Sequence, residues 1–85
     1  MRAFMYKVRN PMGLHSRHAG LLAKEAGKYQ TSVTVVRGDK LANGKHILSL
    51  MALGVKKSDV ITFIMEGSDE ETAASQLQKF VRENF

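Results

Sequence analysis

The sequence predicts an α+β fold: an open-faced β-sandwich, β-α-β-β-α-β-α, with a four-stranded antiparallel sheet covered on one face by three helices. Three observations carry this expectation. Segments whose apolar residues recur at every second position alternate with segments whose apolar residues recur at helical spacing. Two of the strand segments are joined by a tight Gly38-Asp39 turn. The 85 residues show no repeat, linker or low-complexity stretch, so residues 1–85 form one domain with room for a single core.

The first strand is Phe4-Met5-Tyr6-Lys7-Val8, with Phe4, Tyr6 and Val8 on one face. Asn10-Pro11-Met12-Gly13 breaks it and turns the chain. From Ser16 the period becomes helical, with Ala19, Leu22, Ala23, Ala26 and Tyr29 on one side and Lys24, Glu25 and Lys28 on the other. Thr31 to Val36 returns to period two with Val33 and Val35 inward, and the Gly38-Asp39 turn leads to a short strand near Leu41. Asn43-Gly44 precedes a short apolar helix, Ile47 to Leu53, which Gly54 ends. Val60 to Met65 is a strand with Ile61, Phe63 and Met65 facing one way. After Gly67, Ser68 as N-cap and Glu71 at the third helical position form a capping box, and the last helix presents Ala73, Leu77, Phe80 and Val81.

Composition narrows the function classes. A hydrophobic fraction of 44% with ordinary charge density marks a folded chain, not a disordered one. Cysteine is absent, which removes disulfides and thiolate metal sites. No apolar run approaches a membrane span and Met1-Arg2-Ala3-Phe4 lacks a signal-peptide core, so a cytoplasmic protein without membrane insertion is expected. The net charge of +5 is uneven: residues 1–65 carry eleven Lys/Arg against three Asp/Glu, and residues 66–85 carry two against five. A basic body suits nucleic acid or an acidic protein surface. Phe4, Tyr6 and Phe63 are claimed by the core, so no basic-aromatic platform emerges and nucleic acid is not expected. Arg37-Gly38-Asp39 is read as the hairpin turn and not as an adhesion signal.

Two of the three histidines and an arginine are concentrated in Gly13-Leu14-His15-Ser16-Arg17-His18-Ala19-Gly20. His15 falls where a glycine-containing loop meets a helix N-terminus, whose unpaired N–H groups and dipole favour anions. Arg17 adds a guanidinium suited to phosphate or carboxylate oxygens. The local field disfavours imidazolium, leaving a neutral nitrogen able to attack an anionic electrophile. Phosphoryl transfer to histidine needs such a nitrogen together with donors for the equatorial oxygens. A helix-capping histidine beside an ordinary surface arginine fits the same residues.

The stretch Gly13-Leu14-His15-Ser16-Arg17-His18-Ala19 resembles the active-site signature Gly-Leu/Ile-His-x-Arg-Pro-Ala of the HPr family, the histidine-containing phosphocarriers of the bacterial sugar phosphotransferase system. The resemblance spans essentially the whole chain. Lys45-His46-Ile47-Leu48-Ser49-Leu50-Met51-Ala52-Leu53-Gly54 is similar to that family's second helix, and Val60–Gly67 with Ser68-Asp69-Glu70 to its last strand and helix start. It implies that His15 accepts a phosphoryl group on its δ nitrogen from phospho-enzyme I and passes it to enzyme IIA domains of sugar permeases. It further implies a relay protein rather than a stand-alone enzyme, monomeric, with no cofactor and no metal. Ser16 and Arg17 would hold the phosphate. Ile47, Leu48 and Met51, with Lys24 and Lys45, would dock acidic partner surfaces; core packing competes for the apolar residues of this helix.

Two positions depart from the family pattern. His18 replaces the proline, which either adds a phosphate contact or is a surface substitution. His46 stands where a serine is common, and in many Firmicute members that serine is phosphorylated by a dedicated kinase. Ser49 lies one helical turn further on and faces elsewhere, so kinase control is not expected. The alternative within this fold is an HPr-like regulatory protein, or a nitrogen-branch phosphocarrier, without serine-kinase control. The alternative of another class, a metal held by His15, His18 and His46, lacks any carboxylate between Gly13 and Glu25.

Overall fold

In the computed structural model, which describes residues 1–85, the chain runs β1 (Arg2–Lys7), α1 (Ser16–Ala26), β2 (Ser32–Arg37), β3 (Lys40–Asn43), α2 (Ile47–Met51), β4 (Val60–Glu66) and α3 (Glu70–Asn84). The four strands form one sheet in the order β1-β4-β2-β3, every neighbouring pair antiparallel. The period-two pattern decides which face is covered. Val33, Val35, Ile61, Phe63 and Met65 are buried, while the intervening Thr34, Thr62 and Ile64 keep partial exposure on the open face.

Phe63 in the central strand lies opposite Phe4 of β1 and Val35 of β2, and the Phe4 and Phe63 rings stack at 4.7 Å between centroids. Onto this face close Ala19, Leu22, Ala23 and Ala26 of α1, Leu50 of α2, and Ala73, Leu77 and Val81 of α3. The helix-facing residues expected from spacing are therefore the buried ones, apart from two. Tyr29 lies beyond the end of α1 and Phe80 is half-buried, both packed at the core margin.

Two local expectations are corrected. The third helix does not begin with a Ser68/Glu71 capping box. Its N-cap is Asp69, whose carboxylate instead accepts from Gln30 N–H at 3.0 Å, Thr31 N–H at 2.8 Å and the Thr31 hydroxyl. Glu70 reaches back to Gly67 N–H at 3.1 Å, while Glu71 pairs with Arg2. Thr31 is fully buried, so its polar groups require internal partners, and that requirement sets the register of the helix start. The second helix is also shorter than expected. It ends at Met51 with Ala52 as C-cap, and the chain leaves through Gly54 at φ +66°.

One loop is held from both sides. Gly13 N–H donates to Asn10 C=O, Leu14 N–H to Val55 C=O, and Arg9 and Asn10 N–H both donate to the backbone oxygen of Phe85. Gly13 has φ +64°, and an added Cβ would sit 2.3 Å from Val55 O, so only glycine fits there. The loop thus delivers residues 13–15 to the start of α1 in a defined position.

Candidate functional site

His15 is the N-cap of α1, in extended backbone conformation, and its Nδ1 accepts from the Arg17 N–H at 3.4 Å. An imidazole thus occupies the place usually taken by Ser, Thr, Asp or Asn. Its half-buried ring turns Nδ1 toward the open end of the helix, where backbone N–H groups and the dipole favour an anion. Ser16 and Arg17 are exposed, and the Arg17 guanidinium makes no hydrogen bond or ion pair within the chain. The first turn of α1 contains no acidic residue to neutralise this field.

His18 lies at the other edge of the His15 ring. Its Nδ1 is 2.7 Å from His15 Nε2, with the rings edge-to-face at 4.3 Å between centroids. The Asn10 side-chain nitrogen lies 2.7 Å from His18 Nε2 and 3.2 Å from its Nδ1, and Phe85 closes its far side edge-on at 5.3 Å. Burial first, then the neighbouring His15 and Arg17, holds its imidazole below the ordinary value of 6.5. Asn10 is itself oriented by Met12 N–H, which donates to its side-chain oxygen at 2.9 Å. Asn10 and Phe85 are the residues of this site that sequence reasoning missed. Asn10 was legible only as a turn residue before proline, and Phe85 lies 70 positions from His15 in the chain.

His46 does not join the other two histidines, and no group of three or more His, Asp or Glu in the structure is arranged to hold a metal. It is instead the exposed N-cap of α2, making no side-chain cap bond. On α2, Leu50 is fully buried, whereas Ile47, Leu48 and Met51 are 45%, 81% and 40% exposed. Core packing therefore takes Leu50 and the following Leu53, leaving an apolar patch beside α1. Lys24 is exposed on α1, but Lys45 is turned inward and donates its ammonium to Tyr29 C=O at 2.7 Å.

A half-exposed imidazole nitrogen, an unpaired guanidinium two residues on and a helix N-terminus together suit nucleophilic capture of a phosphoryl group. Residues 3–83 match the family model described as PTS HPr component phosphorylation site. The chain is 39% identical over 75 residues to the phosphocarrier protein HPr of Buchnera aphidicola subsp. Baizongia pistaciae, which covers 88% of both chains. It is 35% identical over 77 residues to the HPr-like protein Crh of Bacillus subtilis, covering 91% of each. Among solved structures it superposes on HPr-C-His from Thermoanaerobacter tengcongensis with a TM-score of 0.91 at 33% identity, covering 96% of this chain and 92% of that one.

Proposed function

Because the chain belongs to the HPr family, the phosphocarriers of the phosphotransferase system, we propose that His15 accepts a phosphoryl group from phospho-enzyme I and passes it to enzyme IIA domains of sugar permeases. The observation that carries this reading is the His15 ring at the start of α1, with Nδ1 toward the Arg17 N–H and the Arg17 guanidinium free. The Nδ1 lone pair attacks phosphorus in line as the bond to the donor breaks. The N–H groups of Ser16 and Arg17 and the guanidinium receive the equatorial oxygens. His18 stands at the Nε2 edge of the ring and is left out of the phosphate contacts.

The chain works as a monomeric cytoplasmic relay and not as a stand-alone enzyme, since each half-reaction needs a partner's reacting group opposite His15. No helix is long and apolar enough to cross a membrane. Ile47, Leu48 and Met51 form the docking patch, with Lys24 and Arg17 steering toward acidic surfaces and Lys45 bracing the patch through Tyr29.

Incubation with enzyme I and phosphoenolpyruvate tests the reading. An acid-labile mass gain of one phosphoryl group is expected, lost in His15→Ala with the fold retained. Labelling of His15→Ala at the wild-type level would move the acceptor elsewhere.

The similarity to Crh supports a second reading, an HPr-like regulatory protein. The imidazole at position 15 favours the carrier. Failure of the folded wild type to accept phosphate from the sugar-branch enzyme I would favour the second reading.

A further inference from the structure

Three contacts run in a row through the two rings. Arg17 N–H meets His15 Nδ1 at 3.4 Å, His15 Nε2 meets His18 Nδ1 at 2.7 Å, and Asn10 Nδ2 lies 2.7 Å from His18 Nε2 and 3.2 Å from its Nδ1. Each contact has a place for one proton. The Arg17 backbone and the Asn10 amide fill the outer two places, while two neutral rings bring two protons to the single middle one. One proton is in excess, so either the Arg17 contact gives way or the Asn10 amide gives up His18 Nε2, the other nitrogen of that ring being one it also approaches at 3.2 Å.

Which contact yields decides whether His15 can react. A proton on His15 Nδ1 would oppose the Arg17 N–H and remove the lone pair needed for attack. A proton on His18 Nε2 leaves Nδ1 of His15 free, and it opposes only the Asn10 amide. The Arg17 N–H is fixed in the first turn of α1. The Asn10 side chain turns over by rotation, presenting its oxygen to His18 Nε2–H. That rotation releases the N–H of Met12, which belongs to an exposed residue.

We propose that His18 is a positioning residue for His15: its Nδ1 accepts the His15 Nε2 proton and so keeps His15 in the tautomer whose Nδ1 is the nucleophile. The proposal rests on the carrier reading above. During transfer the bond from Nδ1 to phosphorus forms, and the bond from phosphorus to the donor breaks with its electron pair leaving on the donor. The proton stays on His15 Nε2, and its hydrogen bond to His18 strengthens as positive charge gathers on the ring. The groups facing His18 are His15 and Arg17 from α1, Asn10 from the loop before it, and Phe85 from the end of α3. Burial and the first two disfavour imidazolium, which keeps Nδ1 of His18 available as an acceptor. The proline of the resembled signature offers no such atom.

Ring-nitrogen 15N spectra of the unphosphorylated protein read the His15 tautomer without any transfer step, and the rate of acceptance from phospho-enzyme I reads its consequence. In the wild type, Nδ1 of His15 should be unprotonated and Nε2 protonated. His18→Ala should mix the tautomers and slow acceptance about fivefold, the effect of one neutral hydrogen bond. His18→Gln, whose side-chain oxygen accepts from Nε2–H, should restore most of both. A wild-type His15 protonated on Nδ1 would overturn the proposal even if His18→Ala failed to fold. So would an unchanged tautomer and rate in folded His18→Ala. Loss of acceptance by the wild type with the expected tautomer in place would refute the carrier reading and leave the tautomer assignment standing.

Discussion

The Ser49 hydroxyl accepts a hydrogen bond from the Asn43 backbone N–H at 2.9 Å, folding this side chain of α2 back onto the end of β3. The one serine near the start of α2 is thus tied and half-buried, while the exposed cap position holds His46. A serine kinase of the kind that acts at this helix start in the resembled family should leave the wild type unmodified, whereas His46→Ser should gain an acid-stable phosphoryl group visible by mass spectrometry. An ATP-dependent phosphoserine at wild-type Ser49 would contradict this. Ser49→Ala should lower stability by about 1 kcal/mol in urea unfolding, the net value of one hydrogen bond.

Arg17→Ala should slow phosphoryl transfer and leave stability unchanged. The guanidinium has no partner in the chain, so its removal disturbs no native contact. Loss of a charge-assisted hydrogen bond to phosphate costs about 1.5–3 kcal/mol, a rate reduction of roughly tenfold to a hundredfold. Single-turnover transfer to enzyme IIA measures it, and an unchanged rate would make Arg17 a bystander.

Gly13→Ala should destabilise by about 2 kcal/mol or more, since it combines a left-handed backbone conformation with a Cβ driven into Val55 C=O. Because Leu14 N–H is held by that same carbonyl, acceptance at His15 should fall as well. Thermal melting and phosphorylation assays on one preparation check both. A native melting temperature would show that the loop can relax.

Acid should unfold the protein in two windows. The Asp69 carboxyl lies below its ordinary 3.8, chiefly through the Thr31 hydroxyl and then the Gln30 N–H. Asp59 lies below it through the Lys56 N–H first and then Arg37. Their native forms bind fewer protons than the unfolded chain, so their stabilisation is present above the ordinary carboxylate value and lost as pH falls through the lowered one. His18 is also lowered, by burial, His15 and Arg17, so stability should already decline as pH drops below 6.5 toward its depressed value. Urea midpoints from pH 8 to 3 should show both declines, with the upper one absent in His18→Gln and the lower one reduced in Asp69→Asn. A flat profile between pH 7 and 5 would remove His18 from this account.

Much of this protein was legible in its sequence because the signals are local. Alternation placed Phe4, Tyr6 and Val8, then Ile61, Phe63 and Met65, on the covered face of the sheet, since a strand turns every second side chain the same way. Helical spacing identified the buried side of α1 for the same kind of reason. The turn before Ser16 and the residues Gly13 to Ala19 located the start of α1, because a helix N-terminus is written in the few residues around it.

Tertiary structure alone decided the rest. A five-residue helix makes little more than one turn, too short for spacing to separate Leu50 from Ile47, Leu48 and Met51; packing against α1 and the sheet made that division. The Ser68/Glu71 capping box was a sound local signal, overridden when buried Thr31 drew in Asp69 from 38 positions away. His18 likewise acquired its setting from Asn10 and Phe85, which the antiparallel sheet and α3 bring to the same corner. Contacts between residues far apart in the chain exist only once the core has formed, so no local pattern encodes them.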